Sequence, residues 1–189
     1  MVKSVFALPF VAAALLVAVP AASAPATVSQ TVPADVAANP ANRLTLQLSN
    51  GGTVVIQMRP DAAPNHVQRI QTLVRQGFYD GLKFHRVMPG FMAQGGDPKG
   101  TGQGGSSLPD LAAEFNPLLH LRGSVAAARS ESPDSANSQF YIMFAPNTSL
   151  NGRYTVFGRV ISGMDAVDSI APGEPPEEPT TIVKATLGG

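Results

Sequence analysis

Between Arg43 and Met58 the chain alternates. Leu44, Leu46 and Leu48 are apolar while Thr45 and Gln47 between them are polar, the period-two pattern of a strand with one buried face. Asn50-Gly51-Gly52 supplies a turn and the branched run Thr53 to Met58 a return, so this segment specifies a β-hairpin. The period then changes. Val67, Ile70, Leu73 and Val74 recur at helical spacing, opened by Asp61-Ala62-Ala63-Pro64, with Asp61 as the expected N-cap, and closed by Gly77. Beyond the helix the pattern returns to short strands, expected near residues 82–88, 91–94, 123–128, 139–144, 154–161 and 180–187, with one further short helix from Met164 to Ile170. Many short strands separated by Gly, Pro and Asn turns favour a mainly β chain, folded as a closed or nearly closed antiparallel barrel rather than a parallel α/β sheet.

Upstream of Arg43 neither period holds. Met1 to Ala24 carries one cation at Lys3, an apolar run from Val5 to Val19 and small residues at Ala22-Ser23-Ala24, the layout of a secretory signal peptide. The run is shorter than the about 20 residues that span a bilayer, so no stable membrane insertion is expected after cleavage. Ala24 and Ala26 are both candidate cleavage positions, and residues 1–26 are assigned to the signal. Residues 27–42 mix Ala, Pro, Thr, Val and Asn, with Pro33 and Pro40 set against regular structure, and read as a flexible spacer. Residues 43–189 form the expected domain.

Composition narrows the partners. In 189 residues, 13 basic and 13 acidic side chains are scattered along the chain, which gives no footprint for nucleic acid or an anionic membrane surface. The absence of cysteine removes both a disulfide framework and a lipid-modified cysteine. Such a chain is expected in the bacterial periplasm or, alternatively, in a eukaryotic secretory route, and to act as a monomer. Pro172 to Pro179, with Glu174, Glu177 and Glu178, reads as a solvated acidic loop.

The candidate chemistry is concentrated in Phe84 to Asp97, where the cation Arg86 precedes Phe91, Met92 and Gln94 and then a glycine-rich turn. Extended geometry separates Arg86 from His85 and puts Met92 and Gln94 on one face. A guanidinium beside an apolar surface and an amide suits the gripping of a peptide carbonyl; the plainer reading is a surface or ion-paired arginine. The three histidines, His66, His85 and His120, make no short metal-ligand spacing, so neither metal nor cofactor is expected. Gly100-Thr101-Gly102-Gln103-Gly104-Gly105 is a literal G-x-G-x-x-G, but no apolar strand leads into it and no periodic helix follows, so it reads as a loop beside a groove.

These residues, together with Asn137-Ser138-Gln139-Phe140-Tyr141-Ile142 and Leu150-Asn151-Gly152-Arg153-Tyr154-Thr155-Val156-Phe157-Gly158-Arg159-Val160, closely resemble the cyclophilin-type peptidyl-prolyl cis-trans isomerases. The resemblance runs from about Arg43 to Leu187. It implies an eight-stranded antiparallel closed barrel with a helix over each end and a shallow groove on its outer face. Arg86 falls on the family's catalytic arginine. Phe91, Met92, Gln94, Gln139, Tyr141 and Leu150 fall on groove residues, and Ala128 and Arg129 on the segment beside the residue preceding the substrate proline. Tyr141 stands where phenylalanine is more usual, and Tyr154 where histidine is frequent. Ser149 replaces a common aromatic, which implies weak cyclosporin binding. The implied substrates are proline-containing peptides and unfolded exported proteins. The same departures admit an alternative, a binding module or chaperone for proline segments with weak or no isomerase activity.

Overall fold

The computed structural model describes residues 28–188. The signal assignment therefore lies outside the described residues. Within them the expected hairpin forms from β1 (Arg43–Leu48) and β2 (Thr53–Met58), paired antiparallel with Leu46 opposite Val54. The other strands are β3 (Arg86–Met88), β4 (Met92–Gly95), β5 (Ser124–Ala127), β6 (Phe140–Met143), β7 (Val156–Ser162) and β8 (Ile182–Leu187). They make one eight-stranded sheet in the order β3-β4-β6-β5-β7-β2-β1-β8, every pairing antiparallel.

The sheet curls without closing completely, which corrects the expected closed barrel. Its edges β3 and β8 share no ladder. Instead the gap is crossed where the chain approaches them: Gly81 and Phe84 donate to Ile182 and Thr180, and Ile182 donates back to Leu82.

Alternation along the strands builds two cores. Val87, Ala93, Phe140, Ile142, Val125, Ala127 and Phe157 face the enclosed side, with Leu44, Leu46, Val54 and Ile56 from the hairpin. Their neighbours Met92, Tyr141, Met143, Ala126 and Val156 face outward into a second, smaller cluster. Period two thus makes the same strands the wall of both.

Helix α2 (Pro64–Arg75) follows the end of β2 and turns Val67, Ile70, Leu73 and Val74 into the enclosed core. Its far end stops as expected: Gly77 has φ 68°, its N–H bonds Val74 O, and Phe78 N–H bonds Leu73 O, the paired closure of a Schellman motif. Its near end differs from expectation. The N-cap residue is Ala63, which offers no side-chain acceptor, because Asp61 is committed to Arg59 at 2.7 Å. The Glu114 carboxylate takes the capping role from another loop, accepting the Asn65 and His66 N–H groups at 3.0 Å each. A shorter helix, α3 (Met164–Asp168), sits at the opposite end of β2, where Ala166 packs beside Gly52.

The segment before β1 corrects the spacer reading. A helix, α1 (Ala34–Ala38), and a 3-10 turn (Pro40–Asn42) occupy it, and both prolines stand at helix starts, where their missing N–H costs nothing. Val36 and Asn42 are buried. Arg59, itself only 3% exposed, donates to Ser29 O at 2.7 Å and Gln30 O at 3.4 Å, so a buried guanidinium straps this segment to the domain.

Candidate active site

Register alone brings the central residues together. Arg86 on β3 stands opposite Gln94 on β4, Gln94 opposite Tyr141 on β6, and Tyr141 opposite Ala126 on β5, a cross-strand row on the outward face. Around this row lies a hollow of about 110 Å³ lined by Arg86, Phe91, Met92, Gln94, Ala128, Arg129, Tyr141, Leu150 and Tyr154. That volume is well below the several hundred Å³ of a pocket for a drug-sized ligand and suits a single side chain. Met92 and Tyr141 are buried and form the floor, while the Arg86 side chain is 43% exposed at the rim.

The structure gathers every expected site residue into this hollow except Gln139. Gln139 lines the adjoining larger hollow of about 570 Å³, which shares Gln94, Ala128 and Arg129. Its amide supports the site instead. Oε1 accepts from Gln94 Nε2 at 2.8 Å, and Nε2 donates to Gly102 O at 3.0 Å and Gly104 O at 2.8 Å, so it ties the glycine-rich loop to the row. Asp97 holds the same loop, accepting N–H groups from Lys99, Thr101 and Gly102 at 2.6 to 2.9 Å. Burial would raise the Asp97 carboxyl, but those donors together with Gly104 N–H outweigh it and hold the group below its ordinary value. His85 is buried beside this loop, and burial lowers its pKa.

One support behind the floor had no signal in the sequence. His120 is 1% exposed, and Asn151 Oδ1 accepts both its backbone N–H at 2.9 Å and its Nδ1–H at 3.1 Å. Nε2 is left as the acceptor for the Tyr141 hydroxyl at 3.1 Å. Burial pulls the His120 pKa down, against the Asn151 hydrogen bond, and burial pushes the Tyr141 phenol up. Both groups are therefore neutral near pH 7, as this bond requires. At the other wall Arg129 lies over the Tyr154 ring, its Cζ 4.6 Å from the centroid, and donates to the carbonyls of Ser130, Glu131 and Arg153. A cation–π contact of this kind fixes the ring's orientation.

The hollow's lining offers no carboxylate, thiol or imidazole. It offers an apolar floor, an amide and the guanidinium groups of Arg86 and Arg129, on the outside of an antiparallel half-barrel. Residues 43–187 match the family described as cyclophilin type peptidyl-prolyl cis-trans isomerase/CLD. A probable peptidyl-prolyl cis-trans isomerase from Brucella suis is 50% identical over 167 residues, which cover 80% of this chain and 85% of the relative. Peptidyl-prolyl cis-trans isomerase B of Bacillus subtilis is 41% identical over 128 residues, 67% of this chain and 89% of that one. Among solved structures, a cyclophilin from Hirschia baltica superposes with a TM-score of 0.73 at 30% identity, covering 79% of this chain and 74% of its own. A Cryptosporidium parvum cyclophilin studied in the presence of the dipeptide Ala-Pro gives 0.72 at 27% identity, with coverages of 78% and 99%. The chain belongs to the cyclophilin-type peptidyl-prolyl cis-trans isomerases. Its activity is rotation about X-Pro peptide bonds.

Proposed function

We infer that Arg86 is the catalytic residue and that the hollow beside it receives the proline ring of a substrate peptide. Twisting an X-Pro bond sacrifices amide resonance against a barrier of about 18 to 20 kcal/mol. No bond breaks, so catalysis consists of holding the twisted amide better than either planar form. At the twist the prolyl nitrogen regains a lone pair, and the always-charged Arg86 fork can donate to it or to the preceding carbonyl oxygen. Phe91, Met92, Tyr141 and Leu150 hold the ring, and Gln94 fixes the flanking backbone. The observation that carries this reading is Arg86 at the rim of a hollow walled by those side chains together with Ala128, Arg129 and Tyr154. Replacement of Arg86 by Ala is expected to lower kcat/KM about 100-fold, equivalent to about 3 kcal/mol for one preorganised donor. Unfolding free energy is expected to change by less than about 1 kcal/mol, because the side chain's ion pair with Glu174 is exposed. NMR exchange on a short X-Pro peptide, with melting curves beside it, checks both; undiminished exchange in the variant refutes the assignment.

The substrates we infer are proline-containing segments of unfolded exported proteins, met by a monomer in the periplasm or outside the cell. The signal-like residues 1–26 support the location. Mass spectrometry of the mature N-terminus from fractionated cells tests it, and a chain retaining Met1 in the cytoplasm overturns it. Ser149 is exposed and turned onto Asn147 Oδ1 at 2.7 Å, so it supplies no aromatic wall beside Leu150. Weak cyclosporin affinity is the expected result in a competition assay.

A further inference from the structure

β3 is an edge strand, and a long side chain on an edge has rotamer freedom that a catalytic donor must lose. The structure removes that freedom from outside the groove. Val87 and Gly173 exchange both backbone hydrogen bonds, Val87 N–H to Gly173 O at 2.8 Å and Gly173 N–H to Val87 O at 2.9 Å. The bridge is antiparallel, so one residue further along it Glu174 stands beside Arg86. Gly173 is needed there: its φ is 143°, and a Cβ would lie 2.5 Å from Pro176 Cα. Arg86 Nε then donates to Glu174 Oε2 at 2.7 Å.

Which nitrogen is used matters. The bond occupies Nε, while Nη1 and Nη2 make no hydrogen bond among the described residues, so the two-pronged end of the fork stays available. Arg86 lines the hollow and Glu174 does not, so the carboxylate takes no room from a peptide. We propose that Glu174 is the positioning residue of this isomerase: it clamps Arg86 through Nε and aims the free prongs at the amide to be twisted. The proposal deepens the catalytic reading of Arg86 and rests on it. It also gives the acidic loop a task beyond solvation.

Full-length wild type, Arg86→Ala, Glu174→Ala, Glu174→Gln and the Arg86→Ala/Glu174→Ala double variant are compared by NMR exchange over a range of X-Pro peptide concentrations, with thermal melts as a control. Glu174→Ala is expected to lower kcat about three- to fivefold, in keeping with an exposed ion pair, while KM stays within about twofold. Glu174→Gln keeps an oxygen acceptor for Nε–H and recovers most of the rate. In the Arg86→Ala background, assayed at raised enzyme concentration, removal of Glu174 has no further effect. A Glu174→Ala variant as fast as wild type, beside an inactive Arg86→Ala, overturns the positioning role alone. Faster turnover in both Glu174 variants makes the carboxylate a competitor for Arg86 and equally overturns it. An undiminished Arg86→Ala instead removes the catalytic reading beneath it.

Discussion

Tyr141 shows how a single side chain can serve the groove with one part and the interior with another. Its ring floors the hollow, while its hydroxyl reaches back to a buried imidazole. Tyr141→Phe keeps the ring and leaves His120 Nε2 without its partner, so a loss of about 1 to 3 kcal/mol is expected in urea unfolding. Isomerase kcat/KM should stay within about threefold, since the faces of the ring are unchanged. A large loss of rate with unchanged stability would reverse this division of labour. Arg86, Met92 and Gln94 were legible as candidates in the sequence from their distinctive chemistry at close spacing, and Tyr141 through the family resemblance. His120 and Glu174 were not, because their meaning lies in partners 21 and 88 positions away. The ion-paired arginine and the groove arginine, opposed readings of the sequence, prove compatible: Nε serves one and the rim position the other.

At the scale of elements, the hairpin and α2 were readable because their apolar periods are local. The start of α2 was not. Asp61 has the right identity and place for a cap, but the buried Arg59 claims it, and Glu114 supplies the carboxylate across 48 to 49 residues of sequence. Burial would raise Glu114, yet the Asn65 N–H, the His66 ring and the His66 N–H together hold it lower, so it is ionised where the helix N-terminus favours an anion. Glu114→Ala removes the acceptor for two backbone N–H groups and the 2.6 Å contact with His66 Nδ1, a loss expected at about 2 to 3 kcal/mol. Hydrogen exchange should locate the change in the first turn of α2. Protection unchanged there would mean that water replaces the carboxylate at no cost. The segment before β1 misled for a related reason: Pro33 and Pro40 do stop a helix, but each also starts one.

For the molecule as a whole, acid is the weak direction. His66, His85 and His120 all have pKa values lowered chiefly by burial. The unfolded chain therefore binds protons below about pH 6.5 that the folded chain resists, and stability falls from there as pH is lowered, until the folded histidines themselves protonate. Asp97 and Glu114, depressed in the fold, add a second loss that begins near pH 4 and continues through their folded values. Denaturant midpoints at pH 7.5, 6 and 5 should decline in that order, and a flat profile would show the histidines to be uncoupled from folding. A chain beginning at Arg43 should fold but lose about 3 kcal/mol or more, because Val36 no longer packs and Arg59 loses the carbonyls of Ser29 and Gln30.

The shared wall between the two cores also bears on how such a chain can change over generations. Inserting or deleting one residue in β4 or β6 would turn Ala93, Phe140 and Ile142 outward and send Gln94 and Tyr141 into the enclosed side, ruining interior and groove in one event. Lengthening the loops around Gly102 to Asp110 and Ser130 to Ser135 disturbs neither alternation, although these loops line the hollow beside Gln139. Heritable variation is thus steered into the length of the loops around the larger hollow, while the strands carrying the row from Arg86 to Ala126 are held to a fixed count.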